Sequence, residues 1–97
     1  MHFSIRCVDR QDAPGLRQQV RPQHLEYLKG LGARLVLAGP MLGSDNTTPF
    51  GSLLVVEAAD RAGAEAIAAG DPYAQAGLFS EVTVTPYRIV FLNPPAA

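Results

Sequence analysis

Hydrophobic and polar side chains alternate at the start of the chain. Phe3, Ile5 and Cys7 fall on one side of residues 2–8, with mostly polar side chains between them. A period of two is typical of a strand with one buried face. We therefore predict a first strand over residues 2–8.

Two later segments also predict strands, and these strands are apolar on both faces. They are residues 33–42, with the run Leu35-Val36-Leu37-Ala38, and residues 50–57, with the run Leu53-Leu54-Val55-Val56. Turn-forming residues at 43–49 predict a hairpin between them. The last predicted strand covers residues 79–91, with a bend at Pro86.

A spacing of three and four residues predicts a helix between the first two strands. The apolar positions on this spacing are Leu16, Val20, Tyr27, Leu28 and Leu31. Asp12 and Pro14 supply a start signal, and Gly30 and Gly32 end the helix. Because Pro22 removes a backbone donor, we expect a kink or a break near residues 20–21.

Two further helical segments precede the last strand. A helix is predicted over residues 61–69, capped by Asp60 and ended by Gly70. Asp71-Pro72 then predicts a short helical turn through about Gln75.

The order of these elements is β-α-β-β-α-β. It is typical of a ferredoxin-like α+β fold, in which one antiparallel four-stranded sheet carries both helices on a single face. We expect residues 1–92 to form one domain and residues 93–97 to form a disordered tail.

Strands that are apolar on both faces need cover on both faces. Because two short helices shield only one face, we expect a second copy of the chain to cover the other, as a homodimer packed sheet against sheet. The alternative is a monomer that leaves this apolar surface exposed.

The composition excludes several classes of protein. The chain has 97 residues with 8 basic and 9 acidic side chains, and without a dense basic cluster we expect no nucleic-acid partner. Cys7 is the only cysteine, which excludes an internal disulfide and favours a reducing compartment. No apolar run approaches the roughly 20 residues that cross a bilayer, and no secretory signal is present. We therefore expect a cytoplasmic protein with no membrane contact.

The same composition offers no metal or cofactor motif. The two histidines are scattered, and the glycines fit no phosphate-binding pattern. We expect no cofactor.

His24 lies inside the apolar stripe of the first predicted helix. An imidazole titrates near neutral pH, so a buried one must satisfy its nitrogens locally or use them on a ligand. An acid or base would need a carboxylate to fix its tautomer, and Asp71 is the best candidate. Asp71 before a proline is also an ordinary N-cap. The two roles of Asp71 could coexist through different carboxylate oxygens.

Other side chains could bind a ligand, and each also has a structural interpretation. Arg17 and Arg21 stand four residues apart and could hold a carboxylate, or they could form a solvated helix face. Ser52 lacks the surroundings of a hydrolase nucleophile but could donate a hydrogen bond to a ligand. Tyr73 could line a pocket or could only pack, and the same holds for Tyr87. Cys7 is interpreted as a buried structural thiol because it shares a strand face with Phe3 and Ile5.

Several segments carry a resemblance to a known family. They are Arg17, Arg21-Pro22-Gln23-His24-Leu25, Ala38-Gly39-Pro40-Met41-Leu42, Gly51-Ser52-Leu53 and Gly70-Asp71-Pro72-Tyr73-Ala74-Gln75-Ala76-Gly77-Leu78. They resemble the YciI-like proteins over about Phe3 to Phe91. The Asp-Pro-Tyr element followed by Ala-Gly-Leu is the most specific part.

The resemblance implies a dimeric α+β barrel, in which two ferredoxin-like sheets face each other. It also implies that His24 and Asp71 form a proton-transferring pair in a pocket. A few relatives act on chlorinated aromatic breakdown products, and the wider superfamily includes muconolactone isomerases. Arg6 stands in a first strand that is usually more apolar in such proteins.

Three functions follow from these residues. The first is a cofactor-independent lyase or isomerase in which His24 moves a proton on a small oxygenated metabolite, with aromatic derivatives among the candidates. Asp71 would orient the imidazole, and the substrate-binding residues would be Arg21, Ser52, Arg17 and Tyr73. The second is a binding or accessory module that holds a metabolite without turnover. The third is a purely structural dimer.

Overall fold

The computed structural model describes residues 1–95 of the chain. Its strands are β1 (His2–Asp9), β2 (Leu35–Leu42), β3 (Pro49–Glu57) and β4 (Phe79–Tyr87). Its helices are α1 (Leu16–Leu31), α2 (Arg61–Gly70) and the short α3 (Pro72–Gln75), and a 3₁₀ turn, Gly32–Arg34, joins α1 to β2. The strands form one antiparallel sheet in the order β2-β3-β1-β4. The predicted ferredoxin-like α+β fold is confirmed.

The core lies between the sheet and the helices. The pairing register places Phe3, Ile5 and Cys7 of β1 opposite Val56, Leu54 and Ser52 of β3. Leu31 of α1 and two residues of α2, Ala64 and Ile67, are buried in the same cluster as the apolar members of that set. The face of the sheet that carries Phe3, Ile5 and Cys7 is therefore the one that the helices cover and shield from water.

Helix α1 is continuous from Leu16 to Leu31, so the break predicted near residues 20–21 is absent. Pro22 stands inside the helix and cannot donate to the carbonyl of Gln18. Both residues are exposed, so water can solvate that carbonyl. The helix tolerates the proline because the missing hydrogen bond lies on its solvent-exposed side.

The start of α1 also differs from the prediction. Gly15, not Asp12, is the N-cap, and it adopts the left-handed conformation at φ 80° without a side-chain cap. Asp12 accepts a hydrogen bond from Arg10 Nε at 3.0 Å instead. Only glycine adopts that backbone conformation at little cost, which explains why the helix begins after the predicted Asp-Pro signal.

The two other predicted caps are present. Asp60 accepts from the Gly63 backbone N–H at 2.8 Å at the start of α2. Asp71 accepts from the Tyr73 backbone N–H at 2.9 Å at the start of α3. The second cap brings Asp71 to the junction of α2 and α3, beside α1.

The last strand is shorter than predicted, since β4 ends at Tyr87 rather than at residue 91. It lies at the edge of the sheet and pairs only with β1, whose first residue, His2, is opposite Tyr87. Beyond that point β4 has no backbone to pair with. Residues 93–95 of the predicted disordered tail lie in no helix or strand, and residues 96–97 lie outside the described residues.

The face of the sheet away from the helices is only partly covered. On it Leu37 is 45% exposed and Leu53 is 38% exposed, whereas Val55 is buried. These three residues border a cavity of about 370 Å³ together with Tyr87, Ile89, Phe91 and Leu92. The chain's own C-terminal segment therefore supplies part of the cover that we assigned to a second copy. No helix among residues 1–95 is long and apolar enough to cross a membrane.

Candidate functional site

A cavity of about 550 Å³ lies on the helix side of the sheet, between α1 and the strands β2 and β3. Its polar lining comes from His24, Arg17, Arg21, Gln18, Ser52 and Tyr73. Its apolar lining includes Leu25, Leu28, Leu54 and Pro40. An apolar cavity with a few converging polar groups is the usual form of a small-molecule site.

His24 and Asp71 meet at the wall of this cavity. His24 Nδ1 lies 2.8 Å from Asp71 Oδ1, and the two side chains are 9% and 4% exposed. The residues stand 47 positions apart, so helix packing alone brings them together. The contact that the sequence predicted between them is therefore present, whereas its catalytic use stays a prediction.

Asp71 uses one oxygen for both of its contacts. Oδ1 accepts from His24 Nδ1 and from the Tyr73 backbone N–H, so the expected division between two oxygens is not observed. The Tyr73 backbone N–H can only donate, so Oδ1 is an accepting oxygen at this contact. Asp71, the N-cap residue of α3, thus places its negative charge next to the imidazole of His24.

This contact defines the tautomer of His24. Because the carboxylate accepts, Nδ1 carries the proton and Nε2 keeps its lone pair. Nε2 has no hydrogen-bond partner among residues 1–95, and no fully buried side-chain nitrogen or oxygen there lacks a partner. Nε2 therefore reaches solvent-accessible space at the cavity, where it can accept a proton from a bound molecule.

Tyr73 fixes the plane of the imidazole. Its ring stacks on His24 with centroids 3.9 Å apart and planes 17° from parallel. Arg17 Cζ lies 4.7 Å from the centroid of the Tyr73 ring. Burial raises the pKa of Tyr73 above its usual value, although the charges of Arg17 and Arg21 oppose this effect. The phenol is therefore neutral at physiological pH and serves as a packing surface.

Arg17 is held by the protein itself. Its Nε and Nη2 donate to the two carboxylate oxygens of Asp9, each at 2.7 Å, and Nη2 also donates to Ser52 Oγ at 2.9 Å. Burial opposes the Arg17 charge, but the hydrogen bonds and charge of Asp9 outweigh it and raise the pKa of Arg17. Arg17, one of the two arginines predicted to bind a ligand, is therefore occupied by hydrogen bonds within the protein.

The sequence did not predict Asp9 as a site residue, because its segment has the composition of a polar turn after β1. The only signal was an acidic residue at a strand end with an unpartnered arginine in the next helix. Such a pair is recognisable only when the approach of α1 to the end of β1 is known.

Arg21 differs from Arg17. It lines the same cavity, yet it makes no side-chain hydrogen bond or ion pair with any of residues 1–95. It stands on α1 three residues before His24, so both side chains project from neighbouring turns of one face. Arg21 is thus a cation that lines the same cavity as His24 and remains available for a negative group.

Cys7 lies behind the site and is buried at 3% exposure. Burial and the charge of Asp71 raise the pKa of the Cys7 thiol to about 12. The thiol is therefore protonated and packs as a small apolar group, in agreement with the structural interpretation. Tyr87, the other tyrosine considered above, is exposed at the end of β4 and does not line the cavity.

Gly51 sets the distance between the strands beside Ser52. A Cβ at this position would overlap the Cys7 carbonyl oxygen and would lie 2.6 Å from the Met41 terminal methyl. Any larger residue would push β1 and β3 apart. The glycine therefore keeps Ser52 within reach of Arg17.

Metal-binding clusters are not found in this part of the chain. Across residues 1–95, no three His, Cys, Asp or Glu side chains group as ligands around one point.

Comparison with known proteins assigns the family. The model of the YCII-related domain matches residues 1–88. The chain belongs to the YCII-related domain family. The YciI proteins of Escherichia coli and Shigella flexneri are each 37% identical over 94% of this chain and 100% of their own length. An uncharacterized protein of Haemophilus influenzae is 36% identical over the same shares.

Solved structures share this YCII-related fold. The 5-chloro-2-hydroxyhydroquinone dehydrochlorinase TftG of Burkholderia phenoliruptrix, in complex with 2,5-dihydroxybenzoquinone, is 30% identical with a TM-score of 0.81. The match covers 91% of this chain and 94% of the dehydrochlorinase. A Nitrosomonas europaea protein of unknown function is 17% identical with a TM-score of 0.58, over 99% of this chain and 94% of its own, and shows the fold alone.

Proposed function

We propose that this YCII-related protein is a cofactor-independent lyase or isomerase in which His24 carries a proton on a small oxygenated substrate. The observation that carries the proposal is the 2.8 Å contact between His24 Nδ1 and Asp71 Oδ1 at the wall of the cavity. A base paired with a buried carboxylate is held in one tautomer and is stabilised when it becomes an imidazolium.

The proposed reaction begins when His24 Nε2 takes a proton from an atom next to a substrate carbonyl. The electron pair left behind moves onto the carbonyl oxygen, which becomes an oxyanion beside the unpaired guanidinium of Arg21. In an isomerisation the carbonyl re-forms and Nε2 returns the proton to a different atom. In an elimination the same electron pair expels a leaving group from the neighbouring carbon.

The remaining predicted ligands take supporting roles. Arg17 and Ser52 bind each other at 2.9 Å, so Arg17 holds Ser52 in place at the cavity wall. Tyr73 holds the imidazole plane through its stack. Arg21 is therefore the side chain to which we assign binding of the substrate oxygen.

The similarity to the dehydrochlorinase supports a ring-derived substrate. That enzyme is 30% identical and is solved with 2,5-dihydroxybenzoquinone bound. The hydroxyl groups of this molecule are enols, and in the keto tautomer the hydroxyl proton lies on the neighbouring ring carbon, which becomes a CH₂ between two carbonyls. Removal of a proton from this CH₂ is the proposed step, and it exchanges the ring hydrogen. We therefore use it as the probe.

The test measures exchange of the carbon-bound ring hydrogens of 2,5-dihydroxybenzoquinone with D₂O, by NMR. The wild-type protein should accelerate the exchange, and His24→Gln should lose about 10²-fold or more of the acceleration. His2→Gln is the matched control and should leave the rate unchanged. Binding of the probe without acceleration would favour the accessory-module hypothesis. If the protein neither binds the probe nor accelerates the exchange, the proposed site for this class of ring is overturned.

We also propose that two copies of the chain pack through the sheet faces that point away from the helices. Leu37 and Leu53 are exposed on that face, and Phe91 and Leu92, which border the same cavity, are 89% and 63% exposed. Monomers seldom leave a contiguous apolar surface of this kind. The single free cysteine suits a reducing compartment, so we place this dimer in the cytoplasm.

A charge introduced at the sheet face tests the dimer. Leu53→Glu should convert the dimer to a monomer in analytical ultracentrifugation. Val82→Glu is the matched control, because Val82 is 44% exposed but its pairing with Cys7 places it on the helix side. A wild-type protein that sediments as a monomer would overturn the dimer.

A further inference from the structure

We propose that Tyr27 is a positioning residue for the His24–Asp71 pair, and that Gly70 lacks a side chain in order to admit the Tyr27 hydroxyl. The inference rests on the proposed use of this pair as a proton carrier. Neither residue lines the cavity, so both would act through the pair.

Tyr27 is fixed to the same helix face as His24. The two residues stand three positions apart in α1, so their side chains lie one above the other. The Tyr27 hydroxyl donates to the Ile67 carbonyl oxygen at 2.8 Å, which ties this face of α1 to the last turn of α2. Any rotation of α1 that moves His24 away from Asp71 must therefore stretch this hydrogen bond.

The last turn of α2 needs such external donors. The final four carbonyls of a helix have no partner within it. Ile67 O accepts from Tyr27, Ala68 O from the Asp71 backbone N–H at 3.4 Å, and Ala69 O from Gln75 Nε2 at 3.0 Å. The Tyr27 bond is the shortest of the three, and it comes from α1, whereas the other two donors lie at most six residues further along the chain.

Gly70 makes room for this contact. A Cβ at position 70 would lie 2.7 Å from the Tyr27 hydroxyl oxygen and 3.3 Å from the ring atoms Cε1 and Cζ. Because the Tyr27 hydroxyl is held by the Ile67 carbonyl, relief of the clash would either break that hydrogen bond or shift the backbone next to Asp71. The pKa of Tyr27 is raised, first by burial and then by the negative charge of Asp71, which agrees with their proximity.

A small displacement at this point has a large consequence. One hydrogen bond of 2.8 Å joins the His24 and Asp71 side chains, and Tyr73 holds His24 through its ring and Asp71 through its backbone N–H. Misplacement of a reacting group by about 1 Å can cost about 10²-fold in rate. The Tyr27 hydrogen bond and the absence of a side chain at Gly70 together hold His24 and Asp71 at hydrogen-bond distance.

The first test compares Tyr27→Phe with Tyr87→Phe, a matched change at an exposed tyrosine away from the pair. The readout is the NMR resonance of the His24 Nδ1–H proton and its exchange with water. In Tyr27→Phe we expect exchange to become about tenfold faster, as loss of one ordinary hydrogen bond allows. Tyr87→Phe should match the wild type. A purely structural role of Tyr27 would lower the midpoint of urea unfolding but leave the His24 signal unchanged, which would overturn the proposal.

The second test uses Gly70→Ala in the wild type and in Tyr27→Phe. If the hydroxyl clash displaces Asp71, the alanine should accelerate Nδ1–H exchange more in the wild type than in Tyr27→Phe, because the phenylalanine removes the atom 2.7 Å away. Gly30→Ala, in α1 with open space around it, is the matched control and should have no effect. Additive effects of the two substitutions would contradict the coupling.

These readouts separate the present inference from the proposed function. A wild-type protein without a protected Nδ1–H resonance would refute the His24–Asp71 pair itself. A protected resonance that is unaffected by Tyr27→Phe would refute only the positioning role.

Discussion

Residues 1–95 contain two histidine–carboxylate pairs, in regions that differ in burial. His24 lies 2.8 Å from Asp71 with side chains 9% and 4% exposed, whereas His2 lies 2.9 Å from Glu57 with side chains 35% and 48% exposed. The distances are nearly equal. The difference in environment, not in contact length, distinguishes a candidate proton carrier from a surface contact.

The two carboxylates are engaged differently. Asp71 accepts from a backbone N–H that is part of a helix cap, so its position is fixed by α3. Glu57 accepts from the N-terminal amino group at 2.9 Å, at the exposed end of β3. An exposed pair is screened by water and contributes little, whereas removal of one member of a buried pair leaves an uncompensated group.

The largest expected difference concerns turnover. Asp71→Asn keeps an oxygen that can accept from the Tyr73 N–H, but it removes the charge that fixes the His24 tautomer. We expect a loss of about 10²- to 10⁴-fold in the probe exchange rate. Glu57→Gln, measured in the same NMR assay, should have no effect. Equal effects of the two substitutions would remove the distinction between the pairs.

The next prediction concerns access to the region of His24. With a pKa of about 12, Cys7 should react with a thiol reagent at pH 8 about 10³-fold more slowly than an ordinary cysteine near 8.5. The folded pKa is raised, so the protonated thiol stabilises the fold below the ordinary value and this contribution is lost as the pH rises toward 12. Absorbance-monitored labelling, with the urea-unfolded protein as the reference, checks the rate. Fast labelling of the folded protein would mean that the region is open.

A third prediction concerns the scaffold under the site. Asp9→Asn leaves Arg17 without its carboxylate, and we expect a loss of about 3 kcal/mol in the free energy of unfolding, the low end for a buried pair. The low end applies because the two side chains keep 15% and 13% exposure. Asp12→Asn breaks the exposed Arg10–Asp12 pair and should cause no measurable change by urea unfolding. A comparable loss in both variants would mean that burial does not separate these pairs.

The smallest effect belongs to the exposed histidine pair. The hydrogen bond from the N-terminal amino group lowers the pKa of Glu57, so any stabilisation is present above the ordinary glutamate value of about 4.3 and is lost below it. Urea unfolding of wild type and Glu57→Gln should therefore differ slightly at pH 7 and not at all at pH 2.5. A large difference at pH 7 would show that this surface pair is structural.

Local patterns were sufficient for most of the fold. The alternation over Phe3 and Ile5, the helical stripe and the caps at Asp60 and Asp71 each depend on residues within one turn or one strand. The errors had two causes. The end of β4 depends on where β1 begins, since His2 is opposite Tyr87, and the start of α1 depends on the left-handed conformation of Gly15 rather than on the Asp-Pro signal.

The candidate site was predicted in part. His24 stood out because it interrupts an apolar stripe, and Asp71 because it precedes a proline at a helix start. Tyr73 remained ambiguous, since a stacked tyrosine and a packed one have the same sequence signature. Asp9 gave only a weak signal and Tyr27 gave none, because their partners, Arg17 and Ile67, are brought close only by helix packing.

The sequence by itself determined the order of the elements, the faces they bury and the residue types able to carry a proton. These properties follow from side-chain periods and caps, which act over a few positions. The tertiary structure alone decided that Asp71 shares one oxygen between its cap and His24, that Arg17 is committed to Asp9 while Arg21 is not, and that Tyr27 bonds to α2. Contacts between residues 47 positions apart depend on how helices settle on a sheet, and that packing has no local signature.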